Sequence, residues 1–175
     1  LNKSPATFSM DKLLWFNKYY LDQMSIDKLM EVVALNDFDG SEYSKTVIEI
    51  IRDRCSTLNE FSTNTYYFFK DPEVYDPSLL LKHCKEDTFD NLSLLKEQLK
   101  ELEIWEQTYI KEVINKVVSD LEIGFGKIGL PLRLALTATV NSPSIDLVCD
   151  ILGKEITLRR LESFLTKIQN LKTDQ

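Results

Sequence analysis

Apolar residues recur along nearly the whole chain at steps of three and four, the repeat that puts side chains on one face of an α-helix. The set Phe89, Leu92, Leu95, Leu99 and Leu102 steps by 3, 3, 4 and 3. Trp105, Tyr109, Ile110, Val113, Ile114, Val117, Val118 and Leu121 paint one broad stripe on the next segment. Ile26, Leu29, Met30 and Val33 mark an earlier helix, and Val47, Ile48, Ile51 and Cys55 another. Leu161, Phe164, Leu165, Ile168 and Leu171 mark the last. Such stripes are core faces first.

Start and stop signals bound these helices. Asp76-Pro77 sets an N-cap before a proline at the first helical position, and Ser142-Pro143 repeats the pattern. Ser9 and Ser25 are further N-caps, Phe38-Asp39-Gly40-Ser41 is a turn, and Gly153 is a C-cap. Tyr66-Tyr67-Phe68-Phe69 has strand-like content. It nevertheless continues the Leu58…Phe61 helical pattern and stops at Asp71-Pro72, so it reads as a helix end. The result is an all-α chain of roughly ten helices without a sheet or internal repeat. A seam falls near residues 85–90, giving helical groups 1–87 and 88–175 packed end to end.

Composition narrows the class. The 175 residues are 43% hydrophobic, enough for a core, and carry 21 Lys and Arg against 28 Asp and Glu, a net charge of −7. No apolar run approaches the roughly 20 residues that span a bilayer. Leu1-Asn2-Lys3-Ser4-Pro5 is no signal peptide, and a chain opening on Leu reads as a piece of something longer. Cys55, Cys84 and Cys149 are odd in number and widely spaced, which argues for free thiols in a reducing compartment such as the cytoplasm or an organellar matrix. His83 is the single histidine, so a metal site or a Cys-His pair has few ways to assemble. Charge is uneven: residues 1–122 hold 14 basic and 23 acidic side chains, net −9, and residues 123–175 hold 7 and 5, net +2. An acidic body with a basic end would steer a polyanion to that end, while the count alone reads equally well as chance variation in surface charge.

Gly124-Phe125-Gly126-Lys127-Ile128-Gly129 matches the G-x-G-x-x-G spacing of a dinucleotide loop. That loop works only between a strand and a helix, whereas residues 105–122 are helical and Pro131 follows closely. The expected structure for 124–131 is a connection between helices whose glycines permit positive φ. Arg133, with its planar fork of donors, is expected in the first turn of the helix that follows, near Lys127. Asn141-Ser142-Pro143-Ser144-Ile145 offers a hydroxyl cap and exposed N–H groups at a second helix start.

These blocks resemble a known family. Gly126-Lys127-Ile128-Gly129-Leu130-Pro131-Leu132-Arg133-Leu134-Ala135-Leu136-Thr137, Ser142-Pro143-Ser144-Ile145, Leu152-Gly153-Lys154-Glu155 and Leu158-Arg159-Arg160-Leu161-Glu162 are similar to the C-terminal anticodon-binding domain of bacterial-type glutamyl-tRNA synthetase. Upstream, Lys12-Leu13-Leu14-Trp15-Phe16-Asn17-Lys18-Tyr19-Tyr20 and Arg52-Asp53-Arg54-Cys55-Ser56-Thr57-Leu58-Asn59-Glu60-Phe61 resemble further segments of it, in order.

The resemblance implies two helical subdomains forming the anticodon-binding cage of a class I aminoacyl-tRNA synthetase. It implies tRNA as partner, in a bacterial cytoplasmic and monomeric enzyme. Neither the HIGH-like nor the KMSKS-like motif of the catalytic half is present, so no cofactor is expected here. ATP, magnesium and glutamate belong to the missing N-terminal catalytic domain. By the same resemblance Arg54 reads the third anticodon base, Arg133 the first, and Ser142, Pro143 and Ile145 surround the first and second. Lys127, Lys154, Arg159 and Arg160 are candidates for the tRNA backbone. The family commonly has Gly where this chain has Ala138, which puts the following loop in question. Two other classes compete: an all-helical protein-interaction domain without nucleic-acid binding, and a helical enzyme with paired carboxylates such as Glu101 and Glu106.

Overall fold

The computed structural model describes residues 9–33 and 39–173. Phe38 of the expected turn and the side chain of Leu171 lie outside the described residues. Among the described residues the only regular structure is helical, as the 3.6-residue pattern predicts: α1 (Met10–Gln23), α2 (Ile26–Val33), α3 (Glu42–Arg52), α4 (Leu58–Phe69), α5 (Pro77–His83), α6 (Thr88–Lys100), α7 (Gln107–Asp120), α8 (Gly126–Thr137) and α9 (Ile145–Thr173). Tyr66–Phe69 closes α4 as a helix end. α9 is broken at Gly153, whose φ of 78° and ψ of 163° belong to a region that glycine alone occupies readily. Counting α9 as two pieces matches the expected number of helices.

The chain separates into two compact units, 1–66 and 67–175. In the first, α2 packs on α3, and Leu29, Val47, Ile48, Ile51, Cys55 and Phe61 are buried. Ser9 and Ser25 cap their helices, accepting from Lys12 and Lys28 N–H groups at 3.4 and 3.3 Å. Asp39 accepts from the Ser41 N–H at 3.0 Å and the Ser44 hydroxyl at 2.9 Å, tightening the turn into α3.

In the second unit α8 is central. Ile128, Leu132, Leu134, Ala135, Leu136 and Thr137 are all buried, so it is apolar almost all round, and α5, α6, α7 and α9 pack on it. The expected stripes are buried: Leu92, Leu95 and Leu99 on α6, Ile110, Ile114 and Val117 on α7, Leu161, Phe164, Leu165 and Ile168 on α9. The broad stripe of α7 narrows to those three, because Tyr109 stays exposed and Val113 half-buried.

The division falls at Tyr66/Tyr67, 21 residues before the end of the group expected from the sequence at 87. The reason is residues 67–83. Arg160 of α9 is 4% exposed and donates to Asp71 Oδ1 at 2.8 Å and to the carbonyls of Tyr67, Leu136 and Lys70 at 2.7, 2.7 and 3.0 Å. Tyr75 packs against Phe164 at 5.2 Å, and its hydroxyl reaches the Ala135 carbonyl at 3.4 Å. Asp76 caps α5 through the Ser78 N–H at 2.8 Å, with Pro77 at the first turn, as the sequence predicts.

Two outcomes are expected. Arg160→Ala leaves three carbonyls without their donor and Asp71 with Arg159 alone, so it should destabilise by about 3–5 kcal/mol. Arg159→Ala removes only an exposed pair to the same aspartate and should cost less than about 1 kcal/mol; urea unfolding of both variants checks the contrast. Separately, Asp39's hydrogen bonds lower its pKa from 3.8 to about 2. A carboxyl depressed in the folded state adds stability that is complete above the unfolded value, near pH 4, and lost as pH falls through about 2. Urea midpoints should fall more steeply between pH 4 and 2 for the parent chain than for Asp39→Asn.

Candidate nucleic-acid interface

Arg133 is one of the few positions on α8 between Ile128 and Thr137 that is not buried. Its side chain leaves the apolar core and turns to the segment before α9. There Nη1 donates to the Ser142 carbonyl at 2.9 Å, and also to the Ser142 hydroxyl and the Pro143 carbonyl. Hydrogen bonds from a cation are roughly twice as strong as neutral ones, so this clasp sets the path of the chain into α9. Ser142, Pro143 and Ile145 are all buried. The structure therefore brings together four of the five residues expected around the anticodon: Arg133, Ser142, Pro143 and Ile145.

Several local expectations change. Arg133 is not in a first turn near Lys127, because α8 begins at Gly126, two turns earlier. Pro131 lies inside the helix rather than at its start, and removes the N–H that would bond to the Lys127 carbonyl. The G-x-G-x-x-G segment is not a loop with positive φ; among the described residues only Gly40 and Gly153 are glycines of that kind. What Gly129 supplies is room. A methyl there would stand 2.9 Å from Phe125 Cδ1, whose ring lies across the first turn. Nor does Ser142 cap α9 at its first turn. The helix starts at Ile145, the Ser144 carbonyl takes the Val148 N–H at 3.0 Å, and the Ser142 side chain turns inward.

Arg54, the fifth residue, belongs to the first unit. It follows α3 in an exposed turn whose backbone N–H bonds to the Ile51 carbonyl at 2.9 Å. The backbone candidates sort by burial. Lys127 is exposed and pairs with Asp87 at 2.9 Å, holding that carboxyl below the usual range. Arg159 is exposed and pairs with Asp71, whose carboxyl its hydrogen bonds depress. Lys154 is half-buried and donates to the Leu102 carbonyl at 2.7 Å. Arg160, expected as a further backbone candidate, is 4% exposed, and its donors are taken up within the unit by three carbonyls and a carboxylate.

Sequence reasoning passed over the other side of the α9 start. Asp146 is 8% exposed, and the Gln107 amide donates to its Oδ2 at 2.7 Å. The Trp105 indole N–H donates to the Cys149 carbonyl at 3.0 Å. Acid and amide look alike at any surface position, so spacing carried no signal for them. The thiols are free; Cys55 and Cys149 are buried and Cys84 half-buried. Burial pushes the Cys84 thiol up to about 11 and the other two upward, which leaves them poor nucleophiles. Glu101 follows α6 and Glu106 precedes α7, and both side chains are exposed.

Ala138 ends α8 at φ 53° and ψ 14°, the left-handed conformation that glycine adopts without strain. This departure from the family pattern thus keeps the glycine-like backbone, and strain is the consequence. Thr137 steadies the turn: its hydroxyl donates to the Arg133 carbonyl at 2.7 Å, and its oxygen accepts from the Thr139 N–H at 3.3 Å. Ala138→Gly should raise stability by about 1 kcal/mol by relieving the clash of Cβ with the carbonyl, read as a higher urea midpoint with unchanged slope.

Comparison with known proteins fits this geometry. The anticodon binding domain family matches residues 17–165, which include every candidate named above. A glutamate–tRNA ligase of Ruthia magnifica subsp. Calyptogena magnifica is 32% identical over 168 residues, covering 93% of this chain and 37% of that protein. The crystal structure of a glutamate tRNA ligase from Elizabethkingia meningosepticum, in complex with its amino acid, superposes with a TM-score of 0.78 at 26% identity. It covers 95% of this chain and 34% of its own. A glutamate–tRNA synthetase from Elizabethkingia anophelis gives the same score and identity, with 95% and 33% covered. The chain thus spans about a third of the length of these relatives. With an all-helical architecture, an arginine-clasped helix start and a match over most of its length, the chain belongs to the anticodon binding domain family, in the form carried by glutamate–tRNA ligases.

Proposed function

We propose that this chain is the tRNA-reading part of a glutamate–tRNA ligase. Glutamate activation, with its ATP and magnesium, resides in the catalytic part that the longer relatives possess. The anticodon of a glutamate-accepting tRNA is the substrate feature that the chain recognises. The observation that carries this reading is the Arg133 clasp on Ser142 and Pro143. It holds a charged, planar donor group beside a helix start within a rigid, buried helix pair. Single-stranded loop bases can be splayed out and read at their edges by arginines, hydroxyls and backbone groups, without a large positive field. That suits a chain with a net charge of −7.

Roles follow for each unit separately. In the second, Arg133 reads the first anticodon base, and the Ser142–Ile145 segment shapes the site for the first and second. In the first, Arg54 reads the third. Lys127 and Arg159 take phosphates by exchanging an aspartate partner for a phosphate oxygen, which makes their contribution small and salt-sensitive. Lys154 is a weaker candidate, since a phosphate would have to draw it from the Leu102 carbonyl. The rival reading, a protein-interaction domain without nucleic-acid binding, has no comparable support.

The test is a binding titration of variants against glutamate tRNA altered one anticodon base at a time. A bidentate arginine–base contact is worth about 1–3 kcal/mol, so Arg133→Gln should weaken the cognate tRNA roughly 5- to 150-fold. A tRNA already altered at the first base should lose less. Arg54→Gln should relax selection at the third base alone. Equal losses for every anticodon, or none, overturn the base-reading roles.

A further inference from the structure

The first turn of α9 is held from two sides, and only one of them is the arginine clasp. On the other side, Gln107, the first residue of α7, bonds to Asp146 at 2.7 Å. Two residues earlier, Trp105 bonds to the Cys149 carbonyl at 3.0 Å. Lys154, beyond the Gly153 break, bonds to the Leu102 carbonyl at 2.7 Å. Three side-chain bonds thus stitch residues 102–107 along α9 between 146 and 154. Asp146 is 8% exposed, and burial of a carboxylate is costly unless its oxygens are used. Here one oxygen takes the Gln107 amide, and the charge sits where the positive end of a helix dipole favours it. An acid in that place also turns phosphate away from the α9 N-terminus, so the segment suits base edges rather than backbone.

Resting on the reading proposed above, we infer that Gln107 and Asp146 are positioning residues for base recognition. Their bond sets where the first turn of α9 lies relative to Arg133, and so where Ser142–Ile145 meets the first two anticodon bases. Neither side chain touches the tRNA. Their effect is on discrimination at the bases read by this segment and not at the third, which belongs to Arg54 in the other unit.

The experiment uses the whole chain, with transcripts of glutamate tRNA changed singly at the first, second or third anticodon base. Variants are Gln107→Leu, which removes the donor, Asp146→Ala, which removes the acceptor, and Asp146→Asn, which keeps a carbonyl oxygen for Gln107. Gln107→Leu and Asp146→Ala should each lower the preference for the cognate first and second bases about tenfold, the scale of one hydrogen bond to a charged group. Preference at the third base should stay as in the parent chain, and Asp146→Asn should restore most of the loss. Thermal unfolding is read alongside. If both variants weaken all transcripts equally in step with a lower melting temperature, the pair is merely structural and the inference is overturned. Unchanged preferences overturn it as well. A parent chain that shows no anticodon preference at all is a separate result, and defeats the tRNA-reading proposal itself.

Discussion

A single buried guanidinium organises the larger unit. Arg160 lies on α9, yet its donors end on Asp71, Lys70 and Tyr67 at the close of α4 and on Leu136 in α8. Three stretches distant in sequence therefore share one cation. The backbone carbonyls it binds are those left open where helices end, which no helical partner can satisfy. A charge so placed is tolerated because its hydrogen-bonding capacity is used, and it dictates geometry because little else would satisfy it. The rest of the unit builds on that frame: Tyr75 seated against Phe164, α5 on α8, and α8 enclosed.

Enclosing α8 has a consequence for the proposed recognition of bases. A helix packed on nearly every side has little freedom to shift, so Arg133, a polar exception on it, projects from a constrained base. Its bonds to Ser142 and Pro143 carry that rigidity into the approach to α9, and Gln107 and Asp146 supply the opposing constraint. Preorganised donors are what base discrimination needs, since an arginine ordered only on binding would spend affinity on entropy. Strain appears at the same place. Ala138 takes a left-handed turn without glycine's freedom, and the αL turn bends the chain toward Asn141 and Ser142.

Periodicity and capping chemistry determined most of the secondary structure from sequence alone. Residues three and four apart must share a helix face, and Ser9, Ser25 and Asp76 each cap through contacts within three residues. The glycine at 153 broke α9 as expected, because that backbone conformation is a property of the residue itself. The ordered blocks around Arg54, Arg133 and Ser142–Ile145 likewise sufficed to point to the family.

Other features belonged to tertiary structure. In sequence Arg159 and Arg160 are indistinguishable neighbours; helical rotation of about 100° per residue sends one to solvent and the other into the core. The glycines of 124–129 suggested freedom of φ, yet packing of Phe125 made Gly129 a matter of space. The division at Tyr66/Tyr67 depends on contacts from 67–83 to α8 and α9, which local pattern cannot register because the partners lie some 60 to 90 residues away. Gln107 and Asp146 stayed invisible for the same reason: an amide and a carboxylate 39 residues apart become a pair only when α7 and α9 begin side by side.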